Sequence, residues 1–218
     1  MKAAGMITRA NRARRRSGRA FGRNADGVAA VEFAFIFPVM LVAYCGLVDV
    51  AQMVMVNRKV TQLTSTLSDL TARSKQAVST NEIAAIFEAA NTVLMPYDTT
   101  KVKMAVASVV IDSNKIARVC WVQQPAVDPL KPNDGPPLFA VPKAGDVVTV
   151  PDSVRVPNTS VIMARAAYRF VPLAGYLDKL EVTLGDHPVY TRPRAGQAGG
   201  TANIEQIVRI DTPACPKA

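Results

Sequence analysis

Few residues in this chain are placed to do chemistry, and they fall into three groups. Glu32 is a lone carboxylate at the head of an apolar run, in the stretch Gly27-Val28-Ala29-Ala30-Val31-Glu32-Phe33. An ionisable group carried into lipid costs free energy, so a carboxylate there calls either for a positive partner or for a depth shallow enough to stay hydrated. Cys120 and Cys215 are an even pair beyond the apolar run, whereas Cys45 lies inside it. In a compartment that permits disulfides the pair could bridge and pin the C-terminal tail; the other reading is two buried free thiols. His187 is the single histidine, and Asp186-His187-Pro188 has neither metal-ligand spacing nor a nucleophile motif beside it, so it reads as a turn.

The remaining candidates carry less. Gly196 to Gly200 lacks the strand-to-helix setting of a phosphate-binding loop, and Glu181 with Asp186 is a carboxylate pair without a geometry. No catalytic residue, no cofactor, no metal site and no small-molecule substrate is expected. The chain reads as something other than an enzyme.

Charge narrows the class. Lys2, Arg9, Arg12, Arg14, Arg15, Arg16, Arg19 and Arg23 stand against Asp26 alone, so most of the net charge of +9 sits in residues 1–27. An arginine-rich leader of this kind could bind nucleic acid or serve in organellar import. The near-neutral remainder has no broad field for a polyanion, so no nucleic-acid partner is expected.

The next element supplies a membrane reading. Between Val28 and Val56 only Glu32 and Asp49 are charged, and a helix of about 20 mainly apolar residues crosses a bilayer. Lys and Arg crowd the N-terminal side, which predicts a cytoplasmic N-terminus and a C-terminal bulk on the other side. Asp49 then either pairs within an assembly or marks where the helix reaches the outer interface. Pro38 is tolerated within such a span as a local kink. Neither Ala43-Tyr44-Cys45 nor Asp49-Val50-Ala51 suits cleavage after the apolar run.

Gly27-Val28-Ala29-Ala30-Val31-Glu32-Phe33-Ala34-Phe35 followed by Pro38 resembles the start of the TadE/TadG-like minor pseudopilins of the tight-adherence (Flp) pilus system. Tyr168-Arg169-Phe170-Val171-Pro172-Leu173 and Arg192-Pro193-Arg194 are similar to their C-terminal region. The resemblance implies cleavage by prepilin peptidase after Gly27, leaving Val28 as the new N-terminus with Glu32 and Phe33 close behind. It implies residence in the bacterial inner membrane, and as partners other pilins or pseudopilins and the pilus assembly platform. Glu32 would then meet the freed amino group of a neighbour's Val28. Phe33 departs from the Tyr common in the major pilins, and the chain is too long for one. The competing function is an uncleaved, single-pass, signal-anchored binding or scaffold domain outside the cytoplasm.

Past the span the helical pattern continues. Met53, Val56, Val60, Leu63, Leu67 and Leu70 recur three or four residues apart, an apolar seam among Thr, Ser and Gln. Its partner is either the chain's own domain or neighbouring subunits, and with Glu32 and Asp49 it makes the candidate assembly helix. Ser79 and Glu82 have capping-box spacing ahead of Ile83, Ile86, Phe87, Ala90 and Leu94, which predicts a second helix ending at Pro96.

The rest is predicted to be mostly strand: a hairpin over Val102–Val122 turning at Asp112-Ser113-Asn114, a short strand near Val147–Val150, and a strong alternation over Ile162–Phe170. The prolines between 125 and 142 read as an exposed loop, residues 195–203 as a flexible Gly- and Ala-rich segment, and Ile204–Ile210 as a last strand or short helix. The expected fold class is α+β: a long N-terminal membrane-spanning helix, a second helix and an antiparallel sheet. The expected division is a basic leader at 1–27, a transmembrane helix at 28–56, a helical stalk and second helix at 57–96, and a mostly β domain at 97–218.

Overall fold

The structure is a computed structural model and describes residues 25–74, 77–125, 137–173, 180–212 and 214–215. The expected leader and most of the proline-rich loop lie outside the described residues. The fold is α+β, with a long apolar N-terminal helix, a second helix and antiparallel sheets. Two compact units divide the chain, residues 1–48 and 49–218.

Helix α1 runs from Ala25 to Ala72 with Pro38 inside it. In the first unit its side chains, Glu32 apart, are apolar and almost all exposed, from Val28 through Phe33, Phe37 and Leu41 to Leu47. The segment is long and apolar enough to cross a membrane. Phe33 and Phe37, one turn apart, tilt their rings together with centroids 5.5 Å apart.

In the second unit α1 becomes part of a core. Val56, Val60, Leu63 and Leu67 are fully buried, and Met53 packs against the same cluster. The Ser and Thr residues between them would weaken an isolated helix. Here Thr61, Thr64, Ser65 and Thr71 donate their hydroxyls to the carbonyls of Asn57, Val60, Thr61 and Leu67, one turn back, so these four hydroxyls are satisfied within the helix.

Strand β1 (Ala77–Val78) leads into α2 (Thr80–Leu94). The capping box is complete: the Ser79 hydroxyl accepts from the Glu82 N–H at 3.2 Å, and Glu82 Oε2 accepts from the Ser79 N–H at 2.8 Å. Ile83, Phe87, Ala90 and Leu94 bury its apolar face. A 3-10 turn, Thr99–Lys101, then enters the sheet.

The main sheet holds β2 (Val102–Ile111), β3 (Ala117–Gln123), β4 (Thr159–Phe170), β5 (Val182–Gly185) and β6 (Val189–Thr191). Strand order is β3-β2-β4-β5, with β6 also on β4 and every pairing antiparallel. The register pairs Val106 with Ala164 and Ser108 with Ile162 in the centre, and Phe170 with Val182 at one end.

Because side chains alternate along a strand, β2 and β4 present two faces. Val102, Met104, Val106, Ile162, Ala164 and Ala166 pack with α1 and α2. Ala107, Val109, Ile111, Val161 and Met163 pack with Val148, Val150 and Val154 from the connection before β4. Phe139 covers Ala105 and Ala167 on that second side, with Lys103 Nζ and Arg165 Cζ 5.6 and 4.6 Å from its ring centre. The prolines therefore belong to a segment whose described C-terminal part is a lid on the sheet.

Two short elements differ from expectation. No strand forms at 147–150 beyond a single bridge from Val147 to Arg118. The turn at Gly145, with φ of 94°, and Pro151 leave room only for three local backbone bonds along β3: Val119 N to Asp146 O, Gly145 N to Val119 O, and Val148 N to Ala117 O. The segment 195–203 is ordered rather than loose. Strand β7 (Gln197–Gly199) pairs with β8 (Ile204–Gln206), and β9 (Val208–Arg209) adds in parallel to β1. Its glycines serve close approach: a Cβ on Gly196 would come within 2.7 Å of Glu205 Cγ and 3.0 Å of Gln206 N.

Candidate functional site: the two halves of helix α1

Gly27, Val28, Glu32 and Phe33 all lie within α1 in the first unit, and residues 27–33 are exposed. A Cβ on Gly27 would meet nothing within 4 Å, so packing does not require glycine there.

Asp49 begins the second unit and has a partner neither sequence reading named. Its carboxylate accepts from the Leu173 N–H, at 2.9 Å to Oδ1 and 3.0 Å to Oδ2. Higher up, Asn57 Oδ1 accepts from the Gly185 N–H at 3.0 Å. Ser68 then donates to the Thr191 hydroxyl at 2.8 Å, Arg194 donates to Asp69 Oδ1 at 2.9 Å, and the Arg194 N–H donates to Ala72 O at 2.9 Å. Leu173, Gly185, Thr191 and Arg194 thus meet successive levels of α1 as a ladder of polar contacts, alongside the buried seam. Gly185 sits at the tightest point: with φ of 83°, a Cβ would lie 2.5 Å from Val60 Cγ1. Sequence patterning finds the seam because burial is periodic, and misses the ladder because single Asp, Asn and Ser residues carry no period.

Cys120 and Cys215 are joined as a disulfide across 95 residues, with Cα atoms 5.7 Å apart. Gln206, fully buried, reinforces the join. Its Oε1 accepts from the Cys215 N–H at 2.9 Å and its Nε2 donates to Cys215 O at 2.5 Å, so the side-chain amide stands in for a paired strand. Trp121 Nε1 donates to Ile207 O at 2.8 Å beside it. An apolar cavity of about 380 Å³ opens next to the disulfide, lined in part by Val110, Ile116 and Val119.

Electrostatics in this unit serve structure. The hydroxyl and N–H of Thr100 hold the Asp98 carboxyl below its ordinary range, while burial pushes the Tyr168 phenol up. Arg165 bonds to Asp186 at 2.6 Å, and His187 is exposed. The expected turn at Asp186-His187-Pro188 does not form: β5 and β6 run in the same direction along β4, so these three residues are an irregular join between two strands that follow one partner. Glu181 faces Arg169 at 3.3 Å, which separates it from Asp186 as a working pair.

The class these features define is an α+β domain carried on one long apolar helix that can serve as a membrane anchor. Residues 27–66 match the TadE-like protein family, beginning at Gly27 and ending within the buried seam. The match agrees with the resemblance read from Gly27 to Pro38. No curated protein and no solved structure gives a significant match to the chain.

Proposed function

We propose that this protein is a minor pseudopilin that acts in assembly of a tight-adherence (Flp) pilus, in a structural rather than an enzymatic role. The observation that carries the reading is the family match from Gly27 to Thr66, laid over a helix that is apolar and exposed before Asp49 and built into a domain after it. Residues 1–27 form a cytoplasmic leader, the helix from Val28 crosses the bacterial inner membrane, and the residues beyond it lie on the outer side, in line with the arginine asymmetry. Prepilin peptidase cuts after Gly27. Glu32 pairs with the amino group freed at a neighbour's Val28, which sets the axial register of the helices with the other pilins and the assembly platform.

The domain's own sheet and second helix occupy Val56, Val60, Leu63 and Leu67. Assembly contacts are therefore assigned to Glu32 and the exposed apolar surface of residues 28–48, not to the seam. One observation favours the second reading, an uncleaved signal-anchored scaffold. Gly27 lies inside α1, and an intact helix must open locally before a peptidase can reach its backbone.

Mass measurement and N-terminal sequencing of the protein from its native host distinguish the two. The expected chain starts at Val28, and Gly27→Ala leaves full-length precursor without a change in fold, since the added methyl meets nothing. Glu32→Ala is expected to be cleaved but to reduce piliation. Full-length wild-type protein in cells with active peptidase rejects the processing claim, and normal piliation with Glu32→Ala rejects the assembly role.

A further inference from the structure

The segment that leads to Cys215 is fastened to the domain at points that do not involve its cysteine. Ser160 donates to Glu205 O at 2.6 Å, Trp121 Nε1 to Ile207 O at 2.8 Å, and the Ile210 N–H to Val78 O at 3.2 Å. Arg209 donates to Gln123 Oε1 at 2.6 Å and to Thr80 Oγ1 at 3.2 Å. Residues 205–210 are thus tied by hydrogen bonds to β1, β3, β4 and the start of α2.

Cys120 owes its direction to a register shift in β3. Ser108 pairs with Trp121 and Val109 with Val119, so Cys120 is the extra residue of a bulge, and bulges re-aim side chains. Cys120 and Trp121 consequently both pack into the cluster that holds Ile204 and Ile207. Cys215 is aimed from the other side by Gln206. The amide of that fully buried side chain holds the Cys215 N–H and C=O together, and its Nε2 also reaches Gly199 O at 3.2 Å, which fixes the amide within the β7–β8 hairpin. Gln206 Oε1 lies 3.9 Å from Cys120 Sγ, close enough to accept weakly from the thiol that reduction forms there. One side chain therefore touches both cysteines, and none of its hydrogen bonds needs the sulfur–sulfur bond. Cys120 is only 7% exposed and Cys215 half-buried, yet both line the cavity of about 380 Å³, a volume that admits a small molecule.

We infer that the Cys120–Cys215 bond is a reversible redox site of the folded domain, opened and closed by small thiols and disulfides that enter this cavity, with Gln206 as the residue that keeps Cys215 positioned in both states. To open it, one thiolate of a small dithiol attacks the sulfur of Cys215, the more exposed of the two residues. The sulfur–sulfur bond breaks, and Cys120 leaves as a thiolate that takes a proton from water. The reagent's second thiolate then attacks the reagent sulfur of the mixed disulfide, which frees Cys215 to take a proton in turn and leaves the reagent as a disulfide. Two electrons pass from reagent to protein. To close it, the Cys215 thiolate attacks a small disulfide and releases one thiol; Cys120 then attacks the Cys215 sulfur and releases the other.

The test uses the full chain with Cys45→Ser in detergent micelles, so that the pair supplies the only thiols. Dithiothreitol is expected to open the bond without denaturant, as read by alkylation and mass, while the Trp121 emission maximum stays that of the folded chain; oxidised glutathione is expected to close it again. In a glutathione buffer, Gln206→Met, which keeps a similar volume and loses the hydrogen bonds, is expected to shift the closed-to-open ratio about tenfold towards open. In the reduced wild type the Cys215 amide proton is expected to stay protected from solvent exchange. Ala144→Trp, at the exposed rim of the cavity, is expected to slow opening several-fold and leave the ratio unchanged. A bond that opens only in denaturant, or an emission maximum that moves to that of the unfolded chain as it opens, overturns the reversible site. A folded Gln206→Met chain with an unchanged ratio, or rapid exchange of the Cys215 amide in the reduced wild type, overturns the role of Gln206, and the exchange measurement decides alone where Gln206→Met does not fold. An unchanged opening rate in Ala144→Trp overturns entry through the cavity.

Discussion

The two halves of helix α1 share a backbone and differ in what surrounds them. Before Asp49 the side chains are apolar on every face apart from Glu32, and nearly all are exposed; from Val56 on a narrow apolar seam is fully buried and the exposed side chains are polar. An all-round apolar surface finds no complement in a water-soluble core of one small domain, whereas a stripe does. One helix is thus built for two solvents, and Asp49 stands at the change with its carboxylate committed to Leu173. The arrangement separates two jobs. Contacts that fold the domain lie on the distal half, and contacts available to lipid or to other subunits lie on the proximal half.

The strongest challenge to that division is a pair of truncations. Leu67→Ala, at a fully buried position, is expected to lower unfolding stability by about 2–5 kcal/mol, while Leu41→Ala in the exposed half should change it by less than about 0.5 kcal/mol. Denaturant unfolding in detergent micelles, followed by the fluorescence of the single Trp121, measures both. Equal losses would break the comparison. A smaller effect sharpens it at the ladder. Gly185→Ala drives a methyl into Val60 at a backbone angle that favours glycine, and a loss of about 1–3 kcal/mol is expected in the same assay. A neutral result would mean that β5 does not press against α1. Smallest is Ser79→Ala, which removes one half of the α2 capping box and should cost about 1 kcal/mol without altering membrane association.

Legibility followed periodicity. The apolar run, the seam, the Ser79 cap, the β2–β3 hairpin and β4 were readable because each repeats a spacing or places a turn residue where the backbone needs one. The second face of the sheet was not. Ala105, Ala107 and Val109 appear as the weaker half of an alternation, and only the chain around Phe139 and Val148–Val154 shows that they are covered. The hairpin at 197–206 was hidden for a related reason: its glycines suggest looseness, yet Gly196 is confined by Glu205 and Gln206. Gln206 carried no signal at all, since a lone glutamine near a C-terminus reads as surface until its amide is seen bonded to both backbone groups of Cys215.

The sequence by itself determined the helix that can anchor in a membrane, the Gly27–Glu32 spacing that the TadE-like match begins on, and the α+β class, because these depend on local composition and on spacings within one element. Tertiary structure decided that the seam belongs to the chain's own sheet, that Asp49 accepts from the Leu173 N–H, and that β5 and β6 fasten to α1. The last two join residues more than a hundred positions apart, and the first joins residues tens of positions apart. A pairing at that distance depends on which surfaces the folded chain brings within a few ångströms of each other, and no local pattern records that.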